Sequence, residues 1–472
     1  MAYAKNLDKD KKYERKVSPL ERIFARSPYA IVTMVAQIKG DVSKNILKDS
    51  ISKVQKRHQN LRVRIQEDAD HTPFFTSEGV KEIPIDIVSR ESDEHWIRVY
   101  HESCTIPFEF EKRSAIRFIL VQSQNISELI ILCHHIICDG LSLAYLARDI
   151  MVHLGDPTCE VEVLPDPAPI DKDNLPKEIS VNSIVKYVIN RISKKWRKNP
   201  TYFDQKDYLS LNQTYWKNFS HQMAVVELSE AQTTALVERC RQEEVTVNTA
   251  ITSAFVEAQF IIQGSKVNPN NVIATSFRDR LPKPSGEAMG YFAGGVNFEY
   301  KYNQKMSFWD NSRKLQKKVK PLYKNKNMFK EILPWIYLDP TIMESLSFKM
   351  IGPLVSPDSP RYNKLSSFSK KDDVISSLLK KQNMDCLEKP FLGTAITNLG
   401  RLDFPRMYGT LELDRLIMNP GGLFPLALVN LVVGAVTCSG KLSLLIEYAE
   451  KTIDSVTVDK IKEKALTFLL SD

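Results

Sequence analysis

The sequence predicts an α/β or α+β protein of two lobes, each built on a mixed sheet with flanking helices. Three observations carry this. The 472 residues exceed what one hydrophobic core usually serves. Short β-favouring runs and helix-period stretches alternate irregularly, unlike the strict order of a doubly wound parallel sheet. A proline-rich stretch, Leu164-Pro165-Asp166-Pro167-Ala168-Pro169, divides the chain. The expected divisions are an N-terminal lobe over residues 1–163, a linker with a basic bridging helix over 164–222, and a C-terminal lobe over 223–472.

The elements follow in chain order. Residues 1–16 are rich in charge and read as a loosely held arm; they carry no apolar core and so no secretory signal. Residues 31–36 form a strand, and Gly40-Asp41-Val42-Ser43 makes a turn and cap for a helix with Ile46, Leu47, Ile51 and Val54 on one face. Residues 57–65 close that helix and open a second strand. Residues 83–88 and 115–121 are strands, and the turn Ser123-Gln124-Asn125 returns the latter into 129–133 as an antiparallel hairpin. Beyond the linker, residues 183–198 read as a helix without a single acid, because Ile184, Val188, Ile192 and Trp196 lie four apart. Two readings stand for it: a helix docked between lobes with a solvated basic face, or a peripheral membrane contact or phosphate-binding surface.

The second lobe opens near Ala224, and Ser229 caps a helix. Val245-Thr246-Val247-Asn248-Thr249 precedes a long apolar helix through Phe260. Residues 272–277 form a strand running into Arg278-Asp279-Arg280. The loop Gly290-Tyr291-Phe292-Ala293-Gly294-Gly295 lacks the strand-before, helix-after context of a dinucleotide site. Strands are expected at 394–398, 410–417, 426–436 and 442–449, with a closing helix over 456–470.

Composition narrows the function classes. Hydrophobic content of 43% with 26% charge is that of an ordinary globular chain. No apolar run reaches the ~18 residues of a membrane span. A net charge of +8 on so large a surface hints at anionic partners without pointing to nucleic acid. The seven cysteines are scattered and odd in number, which argues against a disulfide framework and for a reduced, cytoplasmic setting.

The chemistry centres on Cys133-His134-His135-Ile136-Ile137-Cys138-Asp139-Gly140, at the end of an apolar strand and the start of a helix. Successive strand residues point to opposite faces. His134 and His135 therefore cannot readily share a metal ion, and no metal site is expected. One should face the core and the other a cleft. A neutral imidazole accepts a proton near neutral pH, so the cleft histidine is a candidate general base. The competing reading is a pair of hydrogen-bonded core histidines. Asp139 either orients the ring or holds the turn, and Gly140 permits that turn. No Gly-x-Ser-x-Gly elbow is present to support an acyl-serine intermediate.

The segment from His134 to Gly140 resembles the His-His-x-x-x-Asp-Gly signature of the condensation-domain-like, or chloramphenicol-acetyltransferase-like, acyltransferase superfamily. Other segments are similar in the same order. They are Arg57-His58-Gln59-Asn60-Leu61-Arg62, Val245-Thr246-Val247-Asn248, Ser276-Phe277-Arg278-Asp279-Arg280 followed by Met289-Gly290-Tyr291-Phe292, and Thr397-Asn398-Leu399-Gly400. The Asp-Phe-Gly-Trp-Gly sequence of the plant branch is absent. The chain thus looks closer to stand-alone bacterial alcohol acyltransferases and nonribosomal peptide condensation domains.

The resemblance implies two similar lobes in a V with a central tunnel. It implies that His135 is catalytic in that tunnel, that His134 faces inward, and that Asp139 braces the second lobe through Arg278 or Arg280. Gly140 keeps the turn free of a side chain, and Asn398 and Ser276 are substrate-binding candidates. No tightly bound cofactor is implied; the donor is an acyl-CoA or a phosphopantetheine thioester on an acyl or peptidyl carrier protein. Lys194, Lys195 and Arg197, or Arg313, Lys314, Lys317, Lys318 and Lys320, would meet CoA phosphates unless they are only solvated helix faces. The implied function is acyl transfer to an alcohol, ahead of an amine. The alternatives are a carrier-bound, amide-forming condensation enzyme and a non-catalytic scaffold for a carrier protein.

Overall fold

Residues 129–133 are completely buried, as an uninterrupted apolar strand covered on both faces should be. In the computed structural model, which describes residues 12–264, 267–381, 393–421 and 431–470, they lie in the middle of a six-stranded mixed sheet. Its order is Met407–Tyr408, Leu411–Asn419, Ile31–Lys39, Ile126–His134, Ile116–Gln122 and Ile85–Ser89. Neighbours run antiparallel except the last pair. The expected hairpin is present, with Ile119 opposite Ile130.

A second six-stranded mixed sheet runs Ala293–Glu299, Asn270–Ser276, Thr394–Leu402, Leu431–Cys438, Lys441–Ala449 and His221–Glu227. Thr394–Leu402 is parallel to both neighbours, and the other pairs are antiparallel. A small sheet of Glu14–Lys16, Pro73–Thr76 and Arg64–Glu67 completes the strands. The architecture is therefore mixed α/β with two lobes and flanking helices. Among the described residues no single helix is long and apolar enough to cross a membrane.

Four expectations need correction. Residues 14–16 are not a loose arm: they pair with Pro73–Thr76, and Arg15 makes two 2.8 Å bonds to the Glu21 carboxylate. Residues 223–472 are not the second lobe alone, because Leu411–Asn419 pairs with Ile31–Lys39 in the first lobe's sheet. That strand is apolar on both sides: Leu413, Leu416 and Met418 join the first core, while Ile417 packs with Val35 and with Leu445 of the second sheet. Only a position between the lobes buries both faces. Third, residues 308–381 carry five helices, from Phe308–Val319 to Val374–Lys381, of which the sequence suggests only the first, through its basic face. Pro340–Ile351 is buried from Ile342 to Ile351, so it has no polar stripe to mark its period. The expected strand over 426–436 lies partly outside the described residues; its described part begins at Leu431.

The fourth correction concerns the helix Ser183–Trp196. A row of residues four apart drifts by about 40° per step around a helix. Ile184 and Val188 therefore end up 72% and 45% exposed, whereas Trp196 is buried. Docking runs through the buried Ile189, Ser193 and Trp196, with Ile192 packed partly buried beside them. The Trp196 indole donates to Thr341 Oγ1 at 2.6 Å, and Ser193 Oγ accepts from Asp339 N at 3.0 Å.

Candidate active site

The Ile126–His134 strand ends with its two histidines in different surroundings. His134 is buried, with Phe108 and Phe110 edge-on to its ring. Its Nε2 donates to Ser27 O at 2.9 Å, and its Nδ1 accepts from Ile136 N at 3.3 Å. Burial pushes the imidazole down to about 3, so it stays neutral and both nitrogens are used structurally.

His135 turns into the junction between the lobes. Its backbone N–H donates to Ala30 O at 2.8 Å, which fixes its position. Phe24 stacks on the ring at 4.8 Å and Tyr291 stands edge-on at 5.6 Å. Nδ1 lies 3.1 Å from Cys138 O, and Nε2 lies 3.2 Å from Pro420 O. Burial lowers the imidazole pKa below its ordinary value, while the two carbonyls and Asp139 oppose that shift. The neutral form is therefore the resting form at pH 7. A neutral ring has one N–H, so the two carbonyls compete for it; with Nδ1–H donating to Cys138 O, the Nε2 lone pair faces Pro420 O at the cavity wall. Once Nε2 takes a proton, Pro420 O is placed to accept from it, so the imidazolium has an acceptor on each side.

Asp139 faces away from this ring. It caps the helix Gly140–Gly155, with Oδ1 accepting from Ser142 N and Ser142 Oγ, both at 2.8 Å. Oδ1 also accepts from Arg278 Nη2 at 2.8 Å, and Oδ2 accepts from Phe292 N at 3.1 Å. Arg278 is 2% exposed and spends Nη1 on Gly286 O and Ala288 O, each at 2.9 Å. Arg280 is elsewhere, on Tyr323 O and Asn325 Oδ1. Gly140 has ordinary helical backbone; what demands glycine is the close approach of Met418 Sδ, 2.9 Å from where a Cβ would sit. Arg57 and His58 both reach Asp149 Oδ2 on that helix, at 2.8 and 3.0 Å, and Arg148 grips Glu287 across the junction.

Two cavities meet here. The smaller, about 250 Å³ and mainly apolar, is lined by His135, Phe24, Tyr291, Val272, Ala395 and Met418 among others. The larger, about 1030 Å³, has polar walls that include Ser276, Asn398, Asn248, Thr275 and Arg280. Ala274 borders both. Asn398 and Ser276 thus line the larger cavity, while His135 lines the smaller. Asn398 Oδ1 is occupied by Gly400 N at 2.8 Å and Ser276 Oγ by Arg278 N at 3.2 Å. Buried Asn248 Oδ1 and Thr275 Oγ1 lack protein partners. The basic clusters at 194–197 and 313–320 line neither cavity, and Arg313 is committed to Glu243 and Asp310.

Phe24, Tyr291 and Pro420 surround His135 without having been singled out from sequence. Tyr291 was within reach, since it follows Gly290 in a motif segment. Phe24 and Pro420 carry no local signal; they meet the ring only through the chain's long-range return.

Residues 20–154 match the family model of the condensation domain. A polyketide synthase-nonribosomal peptide synthetase of Aspergillus clavatus is 31% identical over 123 residues, which is 26% of this chain but 3% of that much longer protein. By structure, the chain is similar to TRI3 trichothecene 15-O-acetyltransferase from Fusarium sporotrichioides, with TM-score 0.63 and 11% identity over 97% of this chain and 95% of that one. Polyketide synthase associated protein 5 from Mycobacterium tuberculosis gives TM-score 0.59 and 13% identity over 97% and 98%. The chain therefore resembles condensation domains in sequence over residues 20–154, and it shares the fold of these solved structures along nearly its whole length.

Proposed function

We propose that this protein moves an acyl group from a thioester to a hydroxyl, or alternatively an amine, with His135 as general base. The observation that supports this most directly is the neutral His135 imidazole lining an apolar junction cavity, with Cys138 O beside its Nδ1 and Pro420 O beside its Nε2. In this reading the acceptor O–H gives its proton to Nε2 as its oxygen attacks the thioester carbonyl. The carbonyl carbon–sulfur bond breaks, and the departing thiolate takes the proton back from the imidazolium. Ester and free thiol leave; no tightly bound cofactor takes part. Asp139 and Arg278 position the helix and the second lobe around the site.

The larger polar cavity suits the amide-rich arm of a phosphopantetheine, with Asn248, Thr275, Ser276 and Asn398 as its polar contacts. The donor is then an acyl-CoA or an acyl-carrier protein, and competition between the two identifies which. A reducing cytoplasm fits the unpaired thiols among the described cysteines.

A panel of acyl-CoAs and acyl-carrier proteins against alcohols and amines tests the proposal. His135→Ala should lower turnover of a competent pair by ~100- to 10,000-fold with the melting temperature preserved. Turnover within a few-fold of the unsubstituted protein would overturn the base assignment.

A further inference from the structure

The helix Ser183–Trp196 has an outer face that acyl transfer does not use. Every residue from Asn182 to Val188 is exposed, and among them Ile184 is 72%, Tyr187 67%, Val188 45% and Val185 42% open to solvent. At about 100° per residue, Ile184, Tyr187, Val188, Arg191, Lys194 and Lys195 fall on one side of the helix. Ile189, Ser193 and Trp196, which hold it to the protein, fall on the opposite side. The outer stripe is thus apolar for two turns and cationic for the next two, and the helix carries no acid.

Large apolar side chains grouped at one exposed helix end are not ordinary surface scatter. Their arc is wide, about 160° from Tyr187 round to Val185. The cations complete the match. Arg191 lies about 10 Å and Lys195 about 16 Å behind Ile184 along the axis. Interfacial helices combine a buried apolar part with Lys and Arg at the anionic headgroups, and the exposed cations directly behind the apolar turns supply that second element.

We propose that the first two turns of this helix insert into the interface of an anionic membrane, with Arg191, Lys194 and Lys195 at the headgroups. The site is independent of the acyl-transfer reading, since it shares no residue with either cavity at the junction.

The test is sedimentation of the full chain with vesicles of phosphatidylcholine, with and without phosphatidylglycerol. The unsubstituted protein should bind the mixed vesicles and bind pure phosphatidylcholine far less. Ile184→Asp with Tyr187→Asp should weaken binding by at least about tenfold, and Lys194→Ala with Lys195→Ala by roughly fivefold per cation at low salt. Because all four positions are exposed, melting temperatures should not move. Tyr187→Trp should shift its emission to the blue on the mixed vesicles. Equal binding by the aspartate variant, or no preference for phosphatidylglycerol, overturns the proposal. So does a result in which vesicles are ignored but the aspartate variant loses a complex with an acidic acyl-carrier protein, which would make the stripe a protein-docking face.

Discussion

Two adjacent histidines separate into a structural group and a candidate base through burial and partners alone. His134 gives both nitrogens to backbone groups of the core, while His135 meets a carbonyl at each nitrogen and its ring lines a cavity. Strand alternation predicts that they diverge; which carbonyls they meet is beyond any local pattern, because Ser27 and Pro420 are far away in sequence. The two make different pH predictions. For His135, burial lowers the pKa, so the acid limb of the rate should fall below pH ~6.5 with a plateau at neutral pH. His134 titrates at about 3 when folded and near ~6.5 when unfolded, so below pH ~6.5 the unfolded chain binds the extra proton. Stability is therefore full above ~6.5 and is lost as pH falls toward 3, by up to ~1.4 kcal/mol per pH unit. Thermal melts from pH 7 to 4 should show this slope and a shallower one in His134→Gln, which should also melt lower at pH 7. Parallel slopes in the two proteins would exclude His134 as the source.

Single elements show why parts of the fold were legible and others were not. The hairpin 116–134 and the capped helices at Ser43 and Ser229 announce themselves because turn, cap and period are all local signals. Pro340–Ile351 hides because burial on all sides erases amphipathic contrast, and Leu411–Asn419 deceives because its partner strand lies nearly 400 residues earlier. The Asn270–Ser276 strand carries a functional consequence of the same kind. Alternation gives the larger cavity Ser276, but Ala274 touches both cavities, opposite Gly295 in the sheet. In the proposed reaction, a small residue there would leave room for the donor between the two cavities. Ala274→Leu should reduce kcat/KM for the donor by at least about tenfold, whereas Ala274→Gly should leave it within a few-fold. Melting temperatures read alongside separate blockage from overpacking, which costs about 1–3 kcal/mol. Equal kcat/KM in the Leu variant would mean that the thioester enters elsewhere.

At the scale of the whole molecule, the sequence motif is above all a joint between lobes. Asp139 ends one lobe's strand-turn and meets Arg278 from the other, and farther along the same helix Arg148 holds Glu287 across the same seam. Surface pairs of this kind contribute little, but Asp139 and Arg278 are both almost fully buried, 3% and 2% exposed. Removing one partner strands the other in a low-dielectric interior, which typically costs about 3–5 kcal/mol. Arg278→Met should therefore lower the melting temperature sharply, because Asp139 keeps its charge without its guanidinium. Asp139→Asn should cost less, since the amide oxygen can still cap Ser142 N and accept from Arg278. The double variant should be more stable than the sum of the single losses predicts, because no stranded charge remains. Additive losses in that cycle would show that the two residues act separately. A brace of this kind also predicts that stabilities of the two lobes move together, with one cooperative transition in the unsubstituted protein and two resolved transitions in Arg278→Met by differential scanning calorimetry.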